Sequence, residues 1–204
     1  RIKVFSQWKP KTETGKLVKE NKITNINEIF DKGLRITESE IVDSLLDIED
    51  DLLAIGQAKG KFGGGKRRAW RQTQRKTAEG NIPSFSCLSI IGNKSGFVGI
   101  GYGKAKETLP ARGKALRRAK LSLMRIRLGC GSFDCGCGGS HSIPFKVEGK
   151  CGSVKIKLIP APKGTGLVID DEGKKILRLA GVKDVYSKTD GKTRTKFNFA
   201  KACI

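Results

Sequence analysis

The run Phe97-Val98-Gly99-Ile100-Gly101-Tyr102-Gly103 puts glycine at three alternate positions of a segment that otherwise reads as a β-strand. Side chains alternate across a strand, so the three glycines share one face, and that face is bare backbone. Such a face admits the close approach of another backbone or of a helix. Phe85 to Ile91 is strand-like as well, and Asn93-Lys94-Ser95-Gly96 reads as the turn joining the two strands into a β-hairpin. A helix is expected next, opened by Thr108 with Pro110 in its first turn. Leu109, Leu116, Ala119, Leu123 and Ile126 keep helical spacing on one face of it, while Arg112, Lys114, Arg117, Arg118, Lys120, Arg125 and Arg127 fill the rest. The expectation is a helix packed on the sheet with its cations outward.

Charge is distributed unevenly upstream of this hairpin. Residues 1 to 35 mix polar and scattered apolar residues too irregularly for a defined element and read as an extension that needs a partner surface. At Thr37 a helix is predicted, with Thr37 and Glu40 as a capping box and Ile36 and Ile41 as a hydrophobic staple. Residues 36 to 53 hold seven acidic residues and no basic one, so this helix is expected to turn away from any polyanion. The sign then reverses: Lys59, Lys61, Lys66, Arg67, Arg68, Arg71, Arg75 and Lys76 surround Gly63-Gly64-Gly65 with no acid among them. A solvated charge run is the plain reading, but uncompensated like charges on a glycine-rich segment point to an interaction arm. The whole chain repeats the bias, with 41 Lys+Arg against 20 Asp+Glu and a formal net charge of +21, a self-repulsion that a polyanion offsets. Nucleic acid fits. A membrane does not, because no apolar run of about 18 residues and no basic amphipathic helix with a bulky aromatic face is present.

The second half reads as a separate, smaller α+β unit. Strands are predicted over Ile143 to Val147 and Val154 to Ile159, a shaped loop over residues 160 to 166, a helix from Asp171 to Ala180 stopped by Gly181, a strand near Val182 to Tyr186, and a helix from Asn198. Nucleotide chemistry finds no support. Gly60-x4-Gly65-Lys66 has the glycines and lysine of a phosphate loop, but Arg67 stands where a magnesium-binding Ser or Thr belongs and no apolar strand leads in. Gly99 to Gly103 lacks the spacing of a dinucleotide turn. With one histidine and no nucleophile-elbow signature, the chain does not read as an enzyme.

That histidine closes Cys130-x4-Cys135-x-Cys137-x3-His141. With position 1 an Arg, the N-terminus is read as trimmed or processed, and no signal-peptide pattern opens the chain, which favours a reducing cytoplasm. Three thiolates and an imidazole suit one structural, tetrahedral zinc. The other reading is a glycine-rich connector with reduced cysteines, and Cys151 can replace any one of the four ligands.

Taken together, GKLVKENKITNINEIF (15 to 30), SIIGNKSGFVGIGYGKAKE (89 to 107), CGSFDCGCGGSHSIPFKVEGKCGSV (130 to 154), LIPAPKGTGL (158 to 167) and NFAKA (198 to 202) resemble the family of universal small-subunit ribosomal protein five, in its archaeal form and akin to the eukaryotic protein two. The resemblance spans nearly the whole chain. It implies an α+β protein: a domain similar to the double-stranded RNA-binding fold (helix, three strands, helix), then a C-terminal α+β domain of the family's own. The expected division is an extension over 1–35, the RNA-binding-like domain over 36–128 with its basic loop at 59–80, a Cys-rich connector over 129–142, and the C-terminal domain over 143–204.

Resemblance also implies a cytoplasmic place in the small ribosomal subunit, on rRNA where messenger RNA (mRNA) enters, against small-subunit proteins four and eight, with an influence on decoding accuracy and on unwinding of incoming message. The cations of residues 59 to 76, with Lys104, Lys106, Arg112, Arg117, Arg118 and Lys163, are the expected rRNA contacts, because basic loops hold folded RNA by its phosphates. Trp70 is either a stacking platform for an unpaired base or a packing anchor. Relatives follow Gly80 with arginines, whereas this chain has Asn81-Ile82-Pro83-Ser84 and an added basic stretch near 58 to 71, so the charge is read as moved upstream. The alternatives are a free-standing double-stranded RNA-binding module and a nucleic-acid-processing enzyme.

Overall fold

The computed structural model describes residues 8–58, 60 and 67–204. The predicted hairpin is present and is the centre of a sheet: β3 (Gly80–Gly92) and β4 (Phe97–Ala105) pair antiparallel, Ser89 opposite Gly101 and Ile91 opposite Gly99. The free edge of β3 carries two strands end to end. β1 (Glu49–Leu53) takes its second half and β2 (Arg71–Thr77) its first, while β5 (Leu123–Arg125) adds to β4.

The glycine face receives α4 (Thr108–Leu121). Ala111, Ala115 and Ala119 recur every four residues along α4 and are fully buried. A Cβ on Gly101 would meet the backbone of Ala115 and Ala119, and one on Gly103 the backbone of Ala111 and Ala115. Small residues on both sides let the two backbones approach, and the contact face differs from the predicted one. Leu109 is 79% exposed, and the helix stops at Leu121, so Leu123 and Ile126 lie beyond it.

The acidic segment is not one helix. α3 (Ser39–Leu45) follows an N-cap at Glu38, so the Thr37 capping box does not form, and residues 49 to 53 are β1. Glu38 instead ties down residues 8–12, its carboxylate accepting from the N–H groups of Lys11 and Thr12, the Thr12 hydroxyl and Trp8 Nε1. For residues 8–35 the partner surface is the chain itself, and residues 1–7 lie outside the described residues. α1 (Glu13–Lys19), α2 (Ile26–Asp31) and the connection between them bury Val18, Ile23, Ile26 and Ile29 against Ile41, Val42, Ile91, Phe97 and Leu123. Scattered apolar spacing hid two helices of seven and six residues, each shorter than the window in which periodicity shows.

The second sheet runs β6-β7-β9-β8, with β6 (Val147–Cys151), β7 (Val154–Pro160) and β9 (Val185–Asp190) antiparallel and β8 (Leu167–Val168) parallel to β9. Thus the strand expected over 143–147 begins only at its end, and the one expected over 182–186 is shifted towards the C-terminus. α5 (Asp171–Ala180) ends on Gly181 at φ 97° as predicted, and α6 spans Lys196–Cys203. This half is not a separate core. Leu53, Leu88, Ile90 and Val98 of the first sheet share one apolar cluster with Ile156, Ile176, Leu177, Val185 and Phe199. The hairpin turn also caps α5: the N–H groups of Lys94 and Gly96 donate to the carbonyls of Leu179 and Ala180, groups a helix end otherwise leaves unbonded. Among the described residues no helix is long and apolar enough to cross a membrane.

Candidate RNA interface and metal centre

From Arg71 onward the basic segment is a strand rather than a loop. Arg71 to Thr77 pairs residue by residue with Gly80 to Ser86, so much of the predicted 59–80 loop is a β-hairpin. Its outer half is exposed on both strands, from Arg71 to Lys76 and from Gly80 to Pro83, so it stands off the body as an arm. The segment escaped prediction as a strand because neither of its faces is buried, and without burial no alternation is required. Arg75 and Lys76 lie on this arm. At its base Arg71 and Lys104 both stand opposite Ser86, one from each neighbouring strand, so the two exposed cations belong to one face of the sheet. Lys106 follows just past β4, and Arg117 is exposed on α4.

Not every predicted contact is free. Arg112 forms an ion pair with Asp50 at 2.8 Å, and Arg118 donates to the Tyr102 carbonyl at 2.8 Å. Arg67 and Arg68 are exposed beside a short bridge of Ala58 with Arg67. Trp70 is half-buried and packs beside Leu52, Cys87 and the alanines of α4. Lys163 is exposed in the loop after β7. Lys59, Lys61 and Lys66 lie outside the described residues, as does most of the phosphate-loop lookalike. The acids of residues 36 to 53 neutralise the body: Asp43 pairs with Lys120, Glu49 with Lys94 and Asp50 with Arg112.

The second constellation is the cysteine loop. Reciprocal hydrogen bonds between Gly129 and Ser142 pinch it shut, at 2.9 and 2.8 Å. Within it one ligand atom from each of Cys130, Cys135, Cys137 and His141 lies within 4.8 Å of the others. Cys151 is not in this group; it ends β6 against the main core. His141 Nε2 is 3.5 Å from Cys135 Sγ, near the roughly 3.6 Å edge of a zinc tetrahedron with N and S ligands. Its Nδ1 is 2.8 Å from Asp184 Oδ2, and the other oxygen of Asp184 accepts from the N–H groups of Gly164 and Gly166. A carboxylate behind a histidine leaves Nε2 as the ligating atom, the arrangement that accompanies protein-bound metals. Asp184 is 43 positions from His141, and no spacing in the sequence signals it.

The electrostatics of the loop divide its thiols: Cys130 is raised, the Ser132 backbone working against this but burial and the neighbouring Cys137 and Cys135 outweighing it, while Cys135 is lowered. The Cys137 thiol is the largest influence on Cys135, and with the N–H groups of Lys163 and Cys137 it brings the Cys135 thiol down to about 6, into thiolate range at neutral pH. Burial works against ionisation of Asp184, but the N–H of Gly166, His141 and the N–H of Gly164 outweigh it and hold its carboxyl below the usual range. Elsewhere, burial pushes Cys203 up to about 12 and raises Cys87, so these thiols stay protonated. A thiol, an imidazole and a carboxylate in series also serve nucleophilic catalysis. Here two further sulfurs converge on the same point, a donor set for a soft cation rather than a site for an acyl group.

Two family models match the chain: the N-terminal domain of ribosomal protein S5 over residues 69–127 and its C-terminal domain over residues 149–204. The chain belongs to the ribosomal protein S5 family. Relatives named small ribosomal subunit protein uS5 are similar along nearly the full length. That of Nanoarchaeum equitans is 51% identical over 95% of this chain and 84% of its own. That of Methanococcus maripaludis is 48% identical over 96% of this chain and 79% of its own, and that of Staphylothermus marinus 48% over 97% and 86%. The S5-family match accounts for the two α+β halves, and the arm lies inside the N-terminal match. The cysteine loop falls in the gap between the two matches, so its chemistry rests on geometry alone.

Proposed function

We propose that this S5-family chain is a structural, non-enzymatic constituent of the small ribosomal subunit, resident with the ribosome in the cytoplasm and bound to rRNA. The observation that carries the reading is the exposed β2–β3 arm, whose Arg75 and Lys76 have no carboxylate partner among the described residues, on a chain of net charge +21. Such a basic arm neutralises backbone phosphates and positions a protein on folded RNA without reading its bases. The contact set we infer is Arg67, Arg68, Arg71, Arg75, Lys76, Lys104, Lys106, Arg117 and Lys163, with Lys59, Lys61 and Lys66 added from the sequence. Arg112 and Arg118 support it from the helix, and Trp70 fixes the arm's base. We infer further that the protein sits where mRNA enters, beside small-subunit proteins four and eight, and influences decoding accuracy; kinship supports this. The proposed division of labour follows the segments 1–35, 36–128, 129–142 and 143–204.

The cysteine loop we assign to one structural zinc. Cys130, Cys135, Cys137 and His141 would hold it, with Asp184 fixing the imidazole. When bound, the metal supplies cross-linking of a loop otherwise poor in apolar contacts. These chain atoms fix the join between the halves.

Sedimentation tests the main reading: the protein should cofractionate with the small subunit through a high-salt wash, whereas a free-standing RNA-binding module would remain at the top of the gradient. Replacing Arg71, Arg75 and Lys76 by Ala should lower the magnitude of the salt slope of rRNA binding by about two to three, one per lost phosphate contact. An unchanged slope removes the arm from the interface.

A further inference from the structure

A cleft of about 800 Å³ opens at the base of the arm, between the residues flanking β1 and β2 and the start of α6. Its walls come from both halves of the chain. Arg67 and Arg71 stand on one side and Arg194 and Lys196 on the other, with Tyr102 and Phe197 among the apolar lining. Among the described residues no carboxylate lines it. Lys196 is satisfied by Asp170 at 2.6 Å, which leaves three guanidinium groups with no acidic partner among the described residues. Arg67 reaches across the cleft, its Nη1 donating a long, exposed hydrogen bond to the Arg194 carbonyl at 3.4 Å. The two rings are half-buried, pack by their inner sides on the main core and meet edge to face, centroids 5.5 Å apart, and Lys201 Nζ lies over the Phe197 ring, 4.6 Å from its centroid.

These features select a ligand class. The volume lies within the range of small-ligand pockets, about 300–1,000 Å³, and is ample for one nucleotide. An arginine rim with an aromatic wall answers to a planar, weakly polar group joined to an anion, which is a nucleobase and its phosphate. The bases of an RNA duplex are stacked inside it and cannot enter a concave site, whereas an unpaired base can be splayed into one. An acidic peptide would use the arginines alone, with nothing planar to lay against the exposed parts of the two rings.

We propose that this cleft receives one unpaired nucleotide of RNA, its base against Phe197 and Tyr102 and its phosphate on Arg67, Arg71 and Arg194. The proposal rests on the RNA-binding reading above and deepens it. It adds Tyr102, Arg194 and Phe197 to the binding residues, and it makes a single nucleotide bridge the arm and α6.

The test uses the full chain and a decauridylate carrying one 4-thiouridine, compared with an RNA duplex of the same length. Irradiation should crosslink the single strand to the peptides bearing Tyr102 and Phe197. Arg194→Ala, at an exposed position, should weaken single-strand binding about tenfold and lower the magnitude of the salt slope by about 0.7. Phe197→Leu, with folding checked by its melting curve, should weaken it about tenfold with the slope unchanged, because stacking carries no counterion release. Duplex binding should respond to neither variant. Crosslinks confined to residues 72–84, with both variants binding like the parent, would overturn the cleft while leaving RNA binding by the arm intact. Displacement of the oligonucleotide by polyglutamate as readily as by polyuridylate would also overturn it, as a general polyanion site. Failure to bind any RNA would overturn the RNA-binding reading itself.

Discussion

Gly101→Ala adds one methyl group at the point where two backbones are closest. An ideal Cβ at position 101 falls far inside 3.0 Å of the Ala115 carbonyl oxygen and the Ala119 nitrogen, and real Cβ atoms essentially never come that close. The obstructing atoms belong to a helix backbone, so no side-chain rotation relieves them; α4 must move off the sheet as a body. That lifts Ala111, Ala115 and Ala119 from β4 together and opens gaps along the whole contact. Overpacking of a well-filled core costs about 1–3 kcal/mol, and a rigid helix puts this case at about 3. For a chain of this size about 1 kcal/mol shifts the melting temperature by about 2–4 °C, so a fall of about 6–12 °C is expected by calorimetry. Gly101→Val should cost more. Gly113 supplies the control, since it lies on the exposed side of α4 with nothing within 4 Å of its Cβ position. Gly113→Ala should stabilise by up to about 1 kcal/mol through helix propensity. A Gly101→Ala protein melting within about 1 °C of the parent would refute the close-approach argument.

Ser89 lies opposite Gly101 under the same helix with its hydroxyl buried and without a hydrogen-bond partner among the described residues, so Ser89→Ala should raise stability by about 1 kcal/mol in urea unfolding. Purified protein should contain one equivalent of zinc by elemental analysis; Cys135→Ser should release it and expose residues 136–140 to limited proteolysis, while metal-free protein with freely reactive thiols would end the zinc assignment. Burial opposes ionisation of Glu38, but donors from Thr12, Lys11 and Trp8 outweigh it and lower its pKa. A lowered folded-state value means stabilisation that is complete above the unfolded carboxyl pKa of about 4.3 and is lost as pH falls through the folded one. Trp8 emission should therefore change below pH of about 4 in the parent, and Glu38→Gln should abolish that step; a step that persists unchanged excludes Glu38 as its origin.

Local patterns determined much of this protein before any tertiary contact. Alternate glycines, a turn at 93–96 and apolar runs on either side specify the central hairpin, because strand period and turn chemistry are properties of adjacent residues. Gly181 stops α5 for an equally local reason, the left-handed backbone that glycine adopts without strain. The Cys-x4-Cys-x-Cys-x3-His spacing held the three thiols and the imidazole close enough to converge, and net charge alone pointed to a polyanion. What tertiary structure decided are the features that depend on distant partners. Strand β2 exists because Arg71 to Thr77 has Gly80 to Ser86 to bond to, not because of its own composition. The Ala111–Ala115–Ala119 face outranks the larger leucines because only small side chains fit over bare glycine backbone. Helices α1 and α2 hold together by burial against Ile41, Ile91 and Phe97, since helices of six or seven residues are marginal in water alone. Asp184 reaches His141, and Arg194 reaches Arg67, across chain separations of 43 and 127 residues that no local pattern spans. Periodicity records which side of an element is buried; what buries it is settled only when the chain closes on itself.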